Sequence, residues 1–256
     1  MDRERARKAF DTYVASYDAD NPRIALKVDH TLRVAQICER IALGIGLPPE
    51  DVNLAWLVGI LHDVGRFEQV KRYNTFSDAA SVSHAALGAS LLFEDGRGTP
   101  LLRTFIEDDA DDALIKTAVE THSDYRLPEG LDERTRTLCD VLRDADKVDI
   151  IKVCCLLPIE DVYGVSEADL LASEVSPACV DVFYEHRCLP GRMRVHPADK
   201  MVSTVCFAWE LVYPASLEAV RKEGYLLRIL SRSWENPETQ RTFDAMRAHM
   251  QEALRL

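Results

Sequence analysis

Residues 54–65 read LAWLVGILHDVG, and this stretch decides how the chain folds. Its apolar part, LAWLVGIL, predicts a buried helix. That helix runs straight into two adjacent polar side chains, His62 and Asp63. Gly65 then offers a helix stop, because glycine takes the left-handed C-terminal conformation without steric penalty. An imidazole and a carboxylate delivered to the inner end of a core helix are unfavourable unless something pairs with them. A metal ion satisfies both at once.

Working outward, the pattern predicts helices almost throughout. The helix around the quoted stretch is expected over residues 51–64. Upstream, one helix is expected over 3–16. A second follows Asn21-Pro22 and runs to about Ile45, where Gly46-Leu47-Pro48-Pro49 breaks it. Downstream, residues 66–82 read as a long polar loop with Lys71, Arg72, Tyr73 and Asp78, and Ser83 is placed to cap a helix from His84 to about Phe93. Gly96-Arg97-Gly98-Thr99-Pro100 is a break, and acidic residues 107–112 lead into a helix ending near His122. A long helix is expected from Leu131 to about Ile151. Beyond Pro158 the pattern stays helical, divided by Pro177, Pro190, Pro197, Pro214 and Pro237. No alternating run supports a strand. The expected fold class is all-α: a core bundle over 1–157, and a helical C-terminal extension over 158–256 packed on it.

The 256-residue chain is 47% hydrophobic, enough to bury a sizeable core. Its formal charge of -12 argues against a surface that grips long nucleic acid. A small anionic substrate stays open if metal supplies the positive charge. No apolar run has membrane-spanning length, and MDRERARKAF reads as an amphipathic helix start rather than a leader. Seven cysteines without CxxC spacing point to reduced, buried thiols and a cytoplasmic setting.

Residues three or four apart share a helix face. His30 lies between Leu26 and Val34, in line with Ile37 and Ile41; His62 follows Val58 and Gly59; His84 shares a face with Leu87, Gly88 and Leu91; His122 follows Ala118 and Val119. Asp146, four after Leu142, interrupts an inward face, whereas Asp144 is expected towards water. One histidine on an apolar stripe is usually a satisfied core residue. Four on four helices, joined by Asp63 and Asp146, are explained together by one metal centre.

The pattern resembles the HD-domain superfamily of metal-dependent phosphohydrolases. HTLRVA from His30, ILHDVG ending at Gly65 and DADKVD from Asp144 carry the likeness, which covers roughly residues 22–152. The six-residue form of that signature, His…His-Asp…His…His…Asp, implies two ions. His30, His62 and Asp146 would hold one, His84 and His122 the other, with Asp63 bridging. A one-metal site backed by His84 and His122 is the alternative. The resemblance implies a phosphomonoesterase, phosphodiesterase or nucleotidase acting on a small phosphorylated metabolite or nucleotide. Mn, Fe, Co, Ni or Zn suit such ligands better than Mg alone. Asp63 would also orient the attacking water, and Arg66 and Lys147 would meet the phosphate, Lys147 at the reacting group. No general acid stands out. Ser123 follows His122 and no GYP triplet lies near Asp63, so the cyclic-dinucleotide substrate of one subgroup does not carry over.

Arg192, Arg194, His196 and Lys200 form a basic cluster in the C-terminal part, and Trp209, Tyr213, Tyr225 and Trp234 read as core there. Two other functions share the resemblance: mixed-valent di-iron oxygenases, which use the same ligand set, and non-catalytic nucleotide-binding regulators. A degenerate regulator is expected to lose a ligand, and none is missing.

Overall fold

Small polar residues and prolines set where the helices begin. The computed structural model describes residues 1–94 and 100–256, so the break expected at Gly96-Arg97-Gly98-Thr99 lies outside the described residues. Among the described residues there are helices and no strand, which makes the fold all-α. The order is α1 (Arg3–Val14), α2 (Pro22–Gly44), α3 (Pro49–Leu61), α4 (Val64–Tyr73), α5 (His84–Phe93), α6 (Leu102–Phe105), α7 (Asp112–Thr121) and α8 (Glu133–Leu156). There follow α9 (Ile159–Tyr163), α10 (Glu167–Ala172), α11 (Pro177–Tyr184), α12 (Pro197–Val205), α13 (Pro214–Glu223), α14 (Tyr225–Leu230) and α15 (Pro237–Leu254). Asp2, Asn21 and Ser83 cap α1, α2 and α5 by accepting from the backbone N–H of Arg5, Arg23 and Ala86. The chain forms two compact units, Met1–Ala145 and Asp146–Leu256, and the division falls inside the unbroken α8.

In the first unit α2 lies along α3, α4 against α5, and α5 against α7. Val34, Ile37, Ile41, Leu57, Val58, Ile60, Leu61, Ile115 and Val119 are buried between them. Full burial of each such side chain contributes roughly 1.5–3 kcal/mol. Two glycines set the helix spacing through lack of a side chain. A Cβ on Gly59 would stand 2.6 Å from the Cα of Ala35 in α2, and one on Gly65 would collide with the backbone of His84 and Gly88 in α5.

Three expectations are corrected here. Gly65 does not stop a helix: α3 ends at Leu61, and Gly65 sits inside α4, where its role is close approach to α5. Residues 66–82 are not one long loop, because their first half is α4. Phe67, Gln69 and Val70 are buried on one side, while Arg72 Nε donates to Glu68 Oε1 at 2.6 Å one turn away. Lys71 and Arg72 occupy the last turn, where cations favour the helix dipole. Asp144 does not face water but is fully buried, because α8 is covered on nearly every side from Leu138 to Asp149.

The second unit packs α12 against α10, α11 and α14, and α14 against α13 and α15. Phe183, Met201, Val202, Leu226, Leu230, Phe243, Met246 and Met250 fill its interior, and Trp234 lies 4.5 Å from the Phe243 ring. The basic cluster is drawn into local contacts: His196 pairs with Glu174 at 3.1 Å, and Lys200 donates to the Tyr163 carbonyl at 2.7 Å. All seven cysteines are free thiols, buried except for the half-buried Cys155. Among the described residues no helix is long and apolar enough to cross a membrane.

Candidate metal centre

Four imidazoles and the Asp63 carboxylate converge in the first unit. His62 and His122 directly follow the last residues of α3 and α7, and each ring turns back on its own helix. His62 Nδ1 donates to the Gly59 carbonyl and His122 Nδ1 to the Val119 carbonyl, both at 2.7 Å. A carbonyl can only accept, so Nδ1 of each ring carries a proton, and Nε2 is turned away from the helix. His84 is fixed the same way by a carboxylate: its Nδ1 lies 2.6 Å from Asp78 Oδ2. Burial lowers the His84 pKa, helped by the Arg66 charge and opposed by Asp78, so the ring is neutral near neutral pH.

The Nε2 edges face each other. Nε2 of His62 stands 3.4 Å from Nε2 of His30, and Nε2 of His84 stands 3.0 Å from Nε2 of His122. Asp63 lies between the two pairs. Its Oδ2 is 3.5 Å from Nε2 of both His30 and His62, and its Oδ1 is 3.5 Å from His84 Nε2 and 3.9 Å from His122 Nε2. All five residues are at most 5% exposed. Lone pairs crowded on a carboxylate in a dry interior repel unless cations lie among them, so the donor set fits divalent metal.

Within the first unit two groups have ligand atoms within 4.8 Å of one another: His30, His62 and Asp63, and Asp63, His84 and His122. Five of the six residues singled out in the sequence thus come together there. Asp146, the sixth, is half-buried on α8 and opens the second unit.

Arg66 is committed more heavily than its sequence position suggests. Nη1 donates to Asp78 Oδ1, Gln69 Oε1 and the Phe76 carbonyl at 2.8, 2.8 and 2.7 Å. Its Nε is buried without a hydrogen-bond partner, 3.6 Å from Asp63 Oδ1. Gln69 Nε2 in turn donates to Asp78, Ser81 and the Val82 carbonyl, each at 2.9 Å. Residues 74–83 are therefore a built support that aims Asp78 at His84. Lys147 is half-buried and follows Asp146 on α8.

Three groups escaped the sequence reading. Lys27 Nζ donates to Asp63 Oδ2 at 2.6 Å. Burial by itself would raise the Asp63 carboxyl, but Lys27 and the neighbouring imidazoles hold it well below the usual carboxylate range. The available signal was a lysine three residues before His30, on the same helix face. Asp78 was visible only as one polar residue of a supposed loop. Buried Arg143 donates to the carbonyls of Thr121, His122 and Asp124 at 3.1, 3.1 and 2.6 Å, pinning the end of α7 that carries His122.

Residues 28–151 match the HD domain family, a span that opens just before His30 and closes just after Asp146. No curated protein and no solved structure matches the chain.

Proposed function

We propose that this chain, whose residues 28–151 match the HD domain family, generally metal-dependent hydrolases, hydrolyses a small phosphate ester or nucleotide at a centre for two divalent transition ions. The observation that carries the reading is the division of Asp63, one oxygen towards His30 and His62 and the other towards His84 and His122. In this reading His30, His62, Asp63, His84 and His122 would hold the ions, with Asp146 of α8 a further candidate ligand. Imidazole and carboxylate donors suit Mn, Fe, Co, Ni or Zn, whereas Mg favours an all-oxygen shell. Bound there, such ions would supply a water-derived nucleophile near neutral pH and a clamp for the phosphoryl oxygens.

The chain's own groups do the rest. Asp63 would orient the attacking water. Lys27, already on the outer oxygen of Asp63, places an ammonium where a phosphoryl oxygen gathers charge. Arg66 serves first as a brace for Asp78, and its unspent Nε–H is a donor for an oxygen placed beside Asp63. Lys147 is the cation expected to meet the phosphate from α8. No long nucleic acid or membrane enters this reading.

The test is a panel of phosphomonoesters, phosphodiesters and nucleotides given to Mn(II)-loaded protein without oxygen. Phosphate release that drops at least a hundredfold in Asp63→Asn supports the reading. Dioxygen uptake with Fe(II) and no phosphate release with any metal would replace it by a di-iron oxygenase. Nucleotide binding without turnover would replace it by a regulator.

A further inference from the structure

The second unit holds another pair of histidines arranged like those of the metal centre. His186 follows α11, His249 lies on α15, and their Nε2 atoms are 2.8 Å apart across 63 residues of sequence. Of the seven histidines, His30 with His62, His84 with His122 and His186 with His249 all stand edge to edge through Nε2, and the seventh, His196, pairs with Glu174. Two imidazole nitrogens at ~2.0–2.1 Å from one ion lie about 3 Å apart at right angles, as in a square-planar shell, and about 3.3 Å apart in a tetrahedral one. The observed separation is close to the first and needs a slight opening for the second.

The ring of His186 is held in place by two independent devices. It stacks on Trp209, with centroids 3.9 Å apart and planes 12° from parallel. Its backbone has φ 55, the left-handed position of the turn that closes α11. Glycine takes that position most easily, as Gly46, Gly164 and Gly224 do after α2, α9 and α13. A histidine there gives up that ease and gains an imidazole aimed at α15. His249 in turn meets the rings of Tyr184, Phe183 and Trp209 at 5.0, 5.9 and 5.8 Å. His186 is exposed and His249 half-buried, so an ion reaches both from solvent.

We propose that His186 and His249 form a second metal site, a two-histidine clip for Zn(II), Ni(II) or Cu(II) that ties the end of α11 to α15. Among the described residues no third histidine, cysteine or carboxylate completes a ligand group with the pair, so water would fill the remaining positions. Donors limited to imidazole favour these ions over Mg or Ca. The site binds more weakly than the six-residue centre and stabilises the second unit only when metal is supplied.

The experiment counts Zn(II) bound per chain by equilibrium dialysis, in the wild type, His186→Gly and His249→Gln. Glycine suits the left-handed backbone at 186, and glutamine keeps a hydrogen-bonding group at 249, so both variants are expected to fold. The wild type should bind one more ion than either variant, and that site should lose at least tenfold in affinity in each. Added Zn(II) should raise the unfolding midpoint further in the wild type than in the variants. With Cu(II), electron paramagnetic resonance should show two nitrogen ligands at the weaker site. Equal ion counts in all three proteins would overturn the proposal, leaving a plain hydrogen bond between two imidazoles. The count does not depend on any hydrolytic activity.

Discussion

Asp63 is one carboxylate serving four imidazoles and one ammonium, all in a dry interior. Metal-free, its charge is met chiefly by Lys27 at 2.6 Å. Removing one partner of a buried ion pair destabilises by roughly 3–5 kcal/mol. Lys27→Met should therefore lower the stability of metal-free protein by an amount of that order. The difference should shrink when Mn(II) is added, because the ions then neutralise Asp63. Chemical denaturation of both proteins with and without Mn(II) reads this out, and an equal loss in both conditions would contradict it. Asp78 is a second residue with a separable role. It accepts from His84 and Arg66, and those hydrogen bonds and charges outweigh burial and hold its carboxyl far below the usual range. Partners of this kind typically change metal affinity or activity by 10–100-fold. Asp78→Asn should weaken metal binding by about that factor while leaving the helix content unchanged by circular dichroism.

At the scale of the helices, the centre depends on two close approaches, α2 to α3 and α4 to α5. Gly65→Ala would push α4 away from the His84 carbonyl and the Gly88 amide. Overpacking of this kind costs about 1–3 kcal/mol. Because His84 moves with α5, retained metal should fall together with the unfolding midpoint. Loss of stability with full metal retention would show that the helix spacing does not set the site.

Helices α2, α3, α5 and α7 are legible because their apolar residues recur at helical spacing; α2 and α5 carry a histidine on that stripe, and α3 and α7 each run into one. Residues 66–73 were misread as loop because most of their side chains are polar. Only Phe67 and Val70 face inward as apolar groups, and the buried Gln69 is held by hydrogen bonds that no periodicity displays. Asp144 was placed in water because its spacing from Asp140 suggests an outer face. A helix covered all round has no such face. The four histidines stand out as imidazoles on apolar stripes, Asp63 as the neighbour of one of them, and Asp146 as a carboxylate interrupting an apolar face. Lys27, Asp78 and Arg143 do not, since a lysine, an aspartate or an arginine in polar company looks like ordinary surface.

For the whole molecule, pH acts first through His84. Burial and Arg66 set the His84 pKa below its ordinary 6.5, so the unfolded chain binds more protons than the folded one just below that pH. This contribution is complete above about 6.5 and is lost as pH falls towards the depressed folded value. Asp63 and Asp78, lowered from 3.8, hold their contributions until pH falls below that ordinary value. The unfolding midpoint of metal-free protein should thus begin to drop below about pH 6.5, well before the carboxylates titrate. Metal-loaded protein should show a steeper drop, since protons also displace the ions. Midpoints recorded from pH 8 to 5, with and without chelator, test both slopes. Identical slopes would mean that the imidazoles hold no metal.

The most direct measurement is anomalous diffraction from crystals of Mn(II)- or Zn(II)-loaded protein. Two strong peaks about 3.5–4 Å apart are expected, one beside His30 and His62, the other beside His84 and His122, with Asp63 between them. A single peak, or no peak among these imidazoles, would contradict the two-ion centre.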